Sequence, residues 1–397
     1  MPSRVYLDYA ATSPMLPEVR RALDAFYEQN SEDVGAQANA NSLHSEGRKA
    51  FSALEDARTR IAKVLKVRPH ELVFTGCATE SSNTALTGLV FDALHKKGSV
   101  PHIITSTIEH DATFKTLQQL EKFGLCSATY IAPNRAGFIE LESIKQSVGP
   151  NTILVSLIMA HNEIGSINDV EAIGEFLASQ GILFHIDAVQ ALGKIPLDLG
   201  RLPVDLASFS AHKIGGPKGV GLLYIKNGTR ISPLLCGGGQ ENGLRSGTQN
   251  VAGALAFATA CEVACGGSAS FETDMLRVRE LRDYIYERLC SYPQVHAAVP
   301  CEKGSANYLP NIVSVCIEGV ESETLILQLD LQGFSVSGGS ACSTHSLKPS
   351  RTLLELGIAP DLAQGLLRIS LGTRTSKDDV EQFLSAFENV LSSLSVQ

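Results

Sequence analysis

The sequence has no excess of positive charge, no paired-cysteine framework, no long apolar run and no Walker-type phosphate loop, and each absence closes off a class of function. Lys and Arg number 33 against 42 Asp and Glu, giving a net charge of -9 and a pI near 5.6. A nucleic-acid groove needs a basic footprint to neutralise phosphates, so no direct nucleic-acid partner is expected. The 9 cysteines are odd in number and never spaced C-x-x-C, which disfavours a disulfide scaffold or a zinc site and suits reduced thiols in a cytosol. The opening MPSRVYLDYAATSPM lacks the apolar core of a signal peptide. The most apolar run, VAGALAFATAC, stops at Glu262, short of the ~20 residues a membrane span needs. A cytoplasmic chain with no membrane partner is expected. Cys261 and Cys265, four apart in what reads as a helix, are expected as small residues on a packed face. No internal repeat or low-complexity linker interrupts the chain.

What is present is a chain of 397 residues, 44% apolar, too long for one ordinary core and too apolar for disorder. Two domains are expected, and a small-molecule enzyme or a protein-binding module remains. From about residue 70 to 225, ELVFTG, HIITST, SATYIA, ILVSLIMA, ILFHIDA, DLASFSA and GVGLLYI read as strands, several apolar on both faces. SSNTALTGLVFDALHKKG, DATFKTLQQLEKFG and VEAIGEFLASQG between them have helical periodicity and end at glycine. This βαβ succession predicts an α/β domain with a mostly parallel seven-stranded sheet flanked by helices. After about residue 258 a long helix (FETDMLRVRELRDYIYERLC), a strand (NIVSVCIE), a helix (ESETLILQLDLQ), a strand (LLRISLG) and a closing helix after Ser376 read as a smaller α+β domain. The boundaries expected are 15–258 for the large domain, with 1–14 and 259–397 forming the small one.

In open α/β sheets ligands bind beyond the carboxyl ends of the strands, where this sequence is rich in polar residues. ELVFTGCATESSN leaves a strand through Gly76, Cys77, Ala78 and Thr79 into a helix, whose first amides and Thr79 hydroxyl could hold a phosphate, although ordinary helix caps look similar. Asp187 follows a buried strand directly, with Gln190 one turn on. A carboxylate at that depth calls for a cation or strong donors, although a helix N-cap would look alike. Lys213 follows Ser210 and His212 at a strand end, where a lysine among apolar strands can serve as an imine-forming amine. Lys218 reads instead as a solvated loop lysine. A phosphate cup, an imine-forming lysine and a carboxylate for a pyridinium nitrogen together make a pyridoxal-phosphate site.

One further segment, SVSGGSACSTHSLKPS, sets Cys342 among glycine, serine and alanine rather than apolar packing partners. It reads as a mobile, exposed loop, and its thiol as a spare surface cysteine, a nucleophile or a metal ligand. His345 nearby reads as solvent-exposed rather than as a base for Cys342.

Asp187-Ala-Val-Gln190, Ser210-Ala-His212-Lys213-Ile-Gly-Gly-Pro217-Lys-Gly and Gly237-Gly-Gly-Gln-Glu-Asn-Gly-Leu-Arg245-Ser-Gly-Thr248 fall in one order. With Tyr6-Leu-Asp-Tyr-Ala-Ala-Thr12 before them and Ser-Ala-Cys342-Ser after, the chain resembles a cysteine desulfurase. That is a fold-type I pyridoxal-phosphate enzyme of the class V aminotransferase group, here in the long-loop form. The resemblance implies Lys213 as the cofactor-bearing lysine and the base for the substrate Cα proton, and Asp187 as partner of the pyridine nitrogen. It implies Asn162 and Gln190 on the ring's phenolic oxygen, and His110 stacked on the ring and assisting proton transfer. Ala78, Thr79, Ser210 and His212 would form the phosphate cup, with Thr248 reaching in from a second subunit of a homodimer. Arg368 would bind the substrate carboxylate beside Asn162. Its planar fork suits a carboxylate, although the residues alone place it on an edge-strand surface. Cys342 would attack the sulfur of bound L-cysteine and carry it as a persulfide to an acceptor such as an iron-sulfur scaffold or a thiolation enzyme. A half-loop of about six residues reaches roughly 20 Å extended.

Ala40 stands where such enzymes often have proline, Cys77 where glycine is usual, and Asn242 where arginine is common. Two other readings stay open. A selenocysteine lyase or an aminotransferase could use the same cofactor, although transamination needs no loop thiol. A catalytically silent sulfur-relay scaffold has no use for Lys213, Asp187, His110 and Arg368 together.

Overall fold

A short strand, β1 (Val5–Tyr6), precedes two helices, α1 (Pro17–Gln29) and α2 (Ser45–Leu65), which lie ahead of the strand-helix alternation read from the sequence. The computed structural model describes residues 4–29, 34–97, 99–266, 268–338 and 349–394. All seven expected apolar runs then form one seven-stranded sheet: β2 (Leu72–Thr75), β3 (His102–Ser106), β4 (Ser127–Ile131), β5 (Thr152–Ile158), β6 (Leu183–Asp187), β7 (Leu206–Ser210) and β8 (Gly221–Ile225). Their order is β2-β8-β7-β6-β5-β3-β4. β4, β3, β5, β6 and β7 pair in parallel, and β8 runs antiparallel between β7 and β2. The central strands are apolar on both faces because helices cover both. α3 (Ala78–Lys97), α4 (Asp111–Lys122), α5 (Leu141–Ser147) and α6 (Val170–Gln180) are the crossovers. Gly181 ends α6 in the left-handed conformation at φ 66°, which a side chain would strain.

α7 (Val251–Cys265) lies against α2, and Leu54, Ile61, Phe257 and Cys261 share the core beneath the sheet. The expected boundary at 258/259 therefore falls within a continuous helix whose buried face through Cys261 belongs to the first core. Beyond it come α8 (Ser268–Leu289), β9 (Val295–Ala297), β10 (Ile312–Ile317), α9 (Ser322–Leu331), β11 (Phe334–Ser335), α10 (Arg351–Glu355), α11 (Pro360–Ala363), β12 (Leu366–Ser370) and α12 (Lys377–Leu394). A separate core gathers Val278, Ile285, Leu325, Leu329, Leu367, Ile369, Phe383 and Phe387, together with Val5 and Leu7 from the chain's start. β1 joins it by pairing with β11 in parallel, while β12-β10-β9 form an antiparallel sheet. α12 starts as its sequence suggests: Ser376 Oγ accepts Asp379 N at 3.0 Å and Asp379 Oδ2 accepts Ser376 N at 2.8 Å. No single described helix is long and apolar enough to cross a membrane.

Candidate active site

The antiparallel β7–β8 turn sets the lysine end of the site. Ser210 pairs with Gly221, and the chain between them carries His212 and Lys213. Gly221 has to be glycine, because a Cβ there would lie 2.5 Å from the carbonyl carbon of Cys77. That close approach presses the turn Gly76–Thr79, the start of α3, onto the end of β7 and brings the expected phosphate residues together. Ser210 is buried, Ala78 half-buried and Thr79 exposed. Glu80 fixes the turn from the other side, accepting Gly76 N at 2.7 Å and Arg245 Nε at 2.8 Å. His212 Nδ1 lies 3.1 Å from Thr12 Oγ1. Burial, then the charges of Lys213, Lys218 and Lys194, push its imidazole down to about 4. It is thus neutral at physiological pH and still able to give one N–H.

Lys213 Nζ donates to the carbonyl oxygens of Ala10 at 2.7 Å and Ala11 at 2.9 Å, so the N-terminal segment closes over the strand end. Lys218 is exposed, as expected. Sequence reasoning passed over Lys194, a buried lysine whose Nζ reaches the Lys213 carbonyl at 3.4 Å. Burial and the neighbouring Lys213 charge bring it down to about 7.

Asp187 ends β6, 5% exposed, with Oδ1 accepting Val189 N at 3.0 Å. Burial raises its carboxyl above the ordinary range, while the charges of His110 and Lys213 pull the other way. It caps no helix, so the bland alternative does not hold. A file of buried polar groups crosses the sheet nearby. Ser156 meets His185 Nδ1 at 2.8 Å, His185 Nε2 meets Ser208 at 2.9 Å, and Ser82 donates to Ser208 at 3.0 Å. Burial pushes His185 down to about 3 and keeps it neutral, so each ring nitrogen has one fixed role. Gln190 gives Nε2 to Ala10 O at 2.9 Å, leaving Oε1 buried without a partner. Its Nε2 keeps a second N–H beyond the one given to Ala10.

His110 follows β3 and caps α4, its Nδ1 accepting Ala112 N at 3.1 Å. Glu109 before it is fully buried. Its Oε1 accepts Ser106 Oγ at 2.6 Å and Ile158 N at 2.9 Å, and its Oε2 has no partner. Burial pushes this carboxyl up to about 8, so it sits neutral beside the site. A glutamate preceding a strand-end histidine was the available signal, and the sequence analysis gave it no role.

Arg368 departs most from the residue-only reading of an edge-strand surface position. It is 1% exposed on β12. Its Nη1 donates to the Asn162 carbonyl at 3.0 Å and its Nη2 to Asp8 Oδ1 at 2.9 Å, while Nε has no partner. Asn162 and Arg368, both expected at the substrate, thus meet directly. Asp8, within the opening Tyr6-Leu-Asp-Tyr motif, is the positioning carboxylate the sequence reading left without a role.

Thr248 is exposed, on a chain segment that Arg245 ties to Glu80. Just before it, buried Glu241 accepts Arg58 Nη1 at 2.7 Å, Arg58 Nη2 at 2.9 Å and Phe74 N at 2.9 Å. The departure at Asn242 has a local cause: φ is 56°, a left-handed conformation that asparagine tolerates better than most side chains. Where proline is missing at Ala40, Asn39 Oδ1 accepts Asn41 N at 2.9 Å, a side-chain turn in its place. Cys77 carries an exposed thiol. Cys342 and His345 lie outside the described residues.

These residues fit pyridoxal phosphate. A buried carboxylate at Asp187, a cradle kept open by Gly221, a lysine at the same strand ends and a buried Gln190 side chain whose Oε1 has no protein partner are what a bound group with a cationic ring and an anionic tail requires.

Comparison with known proteins agrees with this geometry. Residues 5–383 match the class-V aminotransferase family. The chain is 41% identical over 395 residues to the cysteine desulfurase IscS of Dictyoglomus turgidum, covering 99% of this chain and 96% of that protein. Against the cysteine desulfurase IscS of Klebsiella pneumoniae the identity is 39% over 393 residues, 98% of this chain and 93% of the other. A solved NifS-like protein superposes with a TM-score of 0.88 at 37% identity, over 98% of this chain and 100% of that one.

Proposed function

The chain belongs to the class-V aminotransferases and, within them, to the cysteine desulfurases, and from that premise we propose that it converts L-cysteine to L-alanine and retains the sulfur on Cys342 as a persulfide. The observation that carries this reading is Arg368. Its guanidinium is buried, with Nη1 on the Asn162 carbonyl, Nη2 on Asp8 and Nε without a protein partner, a cation held in place with donor capacity for a substrate carboxylate.

Pyridoxal phosphate, when bound, supplies an electron sink for charge developing at the substrate Cα. Thr79, Ser210, His212 and the amides at Ala78 and Thr79 hold its phosphate, with Thr248 from a second copy of the chain. Asp187 keeps its ring nitrogen protonated. Arg368 and Asn162 orient the substrate by its carboxylate, so that the Cα–H bond faces Lys213. Lys213 Nζ takes that proton, and His110, capping α4, shuttles a second one. The Cys342 thiolate attacks the substrate sulfur. The new S–S bond forms as the substrate C–S bond breaks, and the electron pair stays with the carbon skeleton, which is protonated to alanine.

Val5 and Leu7, just before the residues that close over Lys213, belong to the core of the smaller unit, while Ala10 packs in the first core, which supports two domains joined by the opening segment. We place the second beyond α7, joined by residues 1–14. A homodimer, a cytoplasmic location and delivery to an iron-sulfur scaffold or a thiolation enzyme are parts of the same proposal. The test is product identification: holoenzyme and L-cysteine should yield alanine without added keto acid. Alanine that appears only with a keto acid would make the protein an aminotransferase. Turnover of selenocysteine but not cysteine would make it a lyase.

A further inference from the structure

Segment 339–348, which contains Cys342, lies outside the described residues, but both of its flanks lie within them. On the N-terminal side Ser337 pairs with the backbone of Arg368, through Arg368 N to Ser337 O at 2.7 Å and Ser337 N to Arg368 O at 3.1 Å. On the C-terminal side three consecutive residues each hold a different part of the large-sheet site. Ser350 Oγ donates to Glu163 Oε2 at 2.5 Å. Arg351 Nη2 donates to the Glu109 carbonyl at 2.6 Å and reaches Asp111 Oδ1 at 3.5 Å, while the guanidinium lies 3.6 Å from the centre of the Phe114 ring. Thr352 Oγ1 lies 3.4 Å from His161 Nε2. The residues gripped are 109 and 111, the two neighbours of His110, and 161 and 163, the two neighbours of Asn162.

We propose that Arg351, supported by Ser350, is a positioning residue for sulfur transfer: it ties the C-terminal flank of the cysteine-bearing segment to Glu109 and Asp111, on either side of His110, while Ser350 and Thr352 tie the same flank to Glu163 and His161, on either side of Asn162. The residues expected at the substrate and the C-terminal flank are then held to one another, and the other flank pairs with the backbone of Arg368. Arginine suits the task because one planar group both donates to a carbonyl and stacks on an aromatic face, which a lysine ammonium does less well. The hydrogen bond to Glu109 is charge-assisted and half-buried, so its loss is felt more than that of a surface pair.

This inference rests on Cys342 as the sulfur acceptor, and the experiment separates the two. Holoenzymes carrying Arg351→Ala, Arg351→Lys and, separately, Cys342→Ser are mixed with L-cysteine in a single turnover. Cysteine binding is read from the cofactor absorbance and persulfide on Cys342 from the mass of its peptide. We expect Arg351→Ala to slow persulfide formation about tenfold and Arg351→Lys about threefold, with half-saturation by cysteine within about twofold of wild type, the size expected for one charge-assisted contact. Persulfide formed at the wild-type rate in Arg351→Ala would overturn the proposal, as would cysteine binding that weakens in step with the rate. Should the alanine variant fail to load cofactor, the lysine variant carries the same comparison. If Cys342→Ser makes alanine at the wild-type rate, the reading of Cys342 itself fails. If Cys342→Ser is inactive and Arg351→Ala is fast, only the role of Arg351 fails.

Discussion

The two halves of the site are held by different kinds of bond. On the large-sheet side, Asp187 and Ser210 stand at the ends of strands paired in register on both flanks, and the buried file through His185 and Ser208 locks those strands to their neighbours. On the other side the backbone of Arg368 is paired too, but its guanidinium is aimed by one carboxylate and one carbonyl, and the flank at Ser350 and Arg351 is held by single side chains. Backbone pairing cannot be removed by a point substitution, whereas a side-chain strut can. The cofactor side is therefore built to stay still, and the substrate and sulfur side can be retuned one residue at a time.

Substitutions can break this contrast in order of size. Asp187→Asn keeps the shape and removes the charge. Alanine formation should fall roughly a hundredfold to a thousandfold, the range for losing one preorganised charged partner in a dry site. The cofactor should stay bound to Lys213, as its absorbance would show.

Glu109→Gln should raise stability, and by more at high pH. The folded carboxyl titrates at about 8, above its ordinary 4.5, so the folded chain holds a proton that the unfolded chain gives up between these values. The stability this contributes is complete below the ordinary value and is lost as pH rises through about 8. An amide stays neutral throughout. The advantage of the variant over wild type in unfolding free energy, from denaturant titrations, should therefore grow between pH 5 and pH 9 by on the order of 4 kcal/mol.

On the strut side, Arg368→Lys should raise the KM for cysteine roughly tenfold with a smaller change in kcat, because an ammonium cannot hold Asp8, Asn162 and a substrate carboxylate with one fork. The smallest effect should be at Asn242, where alanine in a left-handed conformation costs about 1 kcal/mol and glycine costs less, measured by thermal unfolding.

The same contrast decides what could be read from the sequence. The central strands were legible because burial on both faces leaves an uninterrupted apolar run, and the half-buried edge strand β4 because of its β-branched and aromatic residues. Asp187 and Lys213 were legible because a charged residue directly after such a run is chemically conspicuous. Arg368 was not: by residue chemistry it read as an exposed edge position, and only its resemblance to a known motif gave it a role. Its partners Asp8 and Asn162 lie 360 and 206 residues away, a pairing that no local period records. Glu109, Lys194 and Arg351 escaped for the same reason, since what makes them unusual is who surrounds them. The expected boundary at residue 258 lies inside α7 because the sequence rhythm changes before the helix ends.

The central claim is that the loop thiol takes the sulfur from a substrate held by the strand-end site. The most direct measurement mixes holoenzyme with a limiting amount of L-cysteine, quenches it, counts alanine and weighs the peptide that contains Cys342. The account expects alanine and a Cys342 heavier by one sulfur atom in equal amounts. Alanine formed while Cys342 keeps its mass, or sulfur found on another thiol such as Cys77, would contradict it.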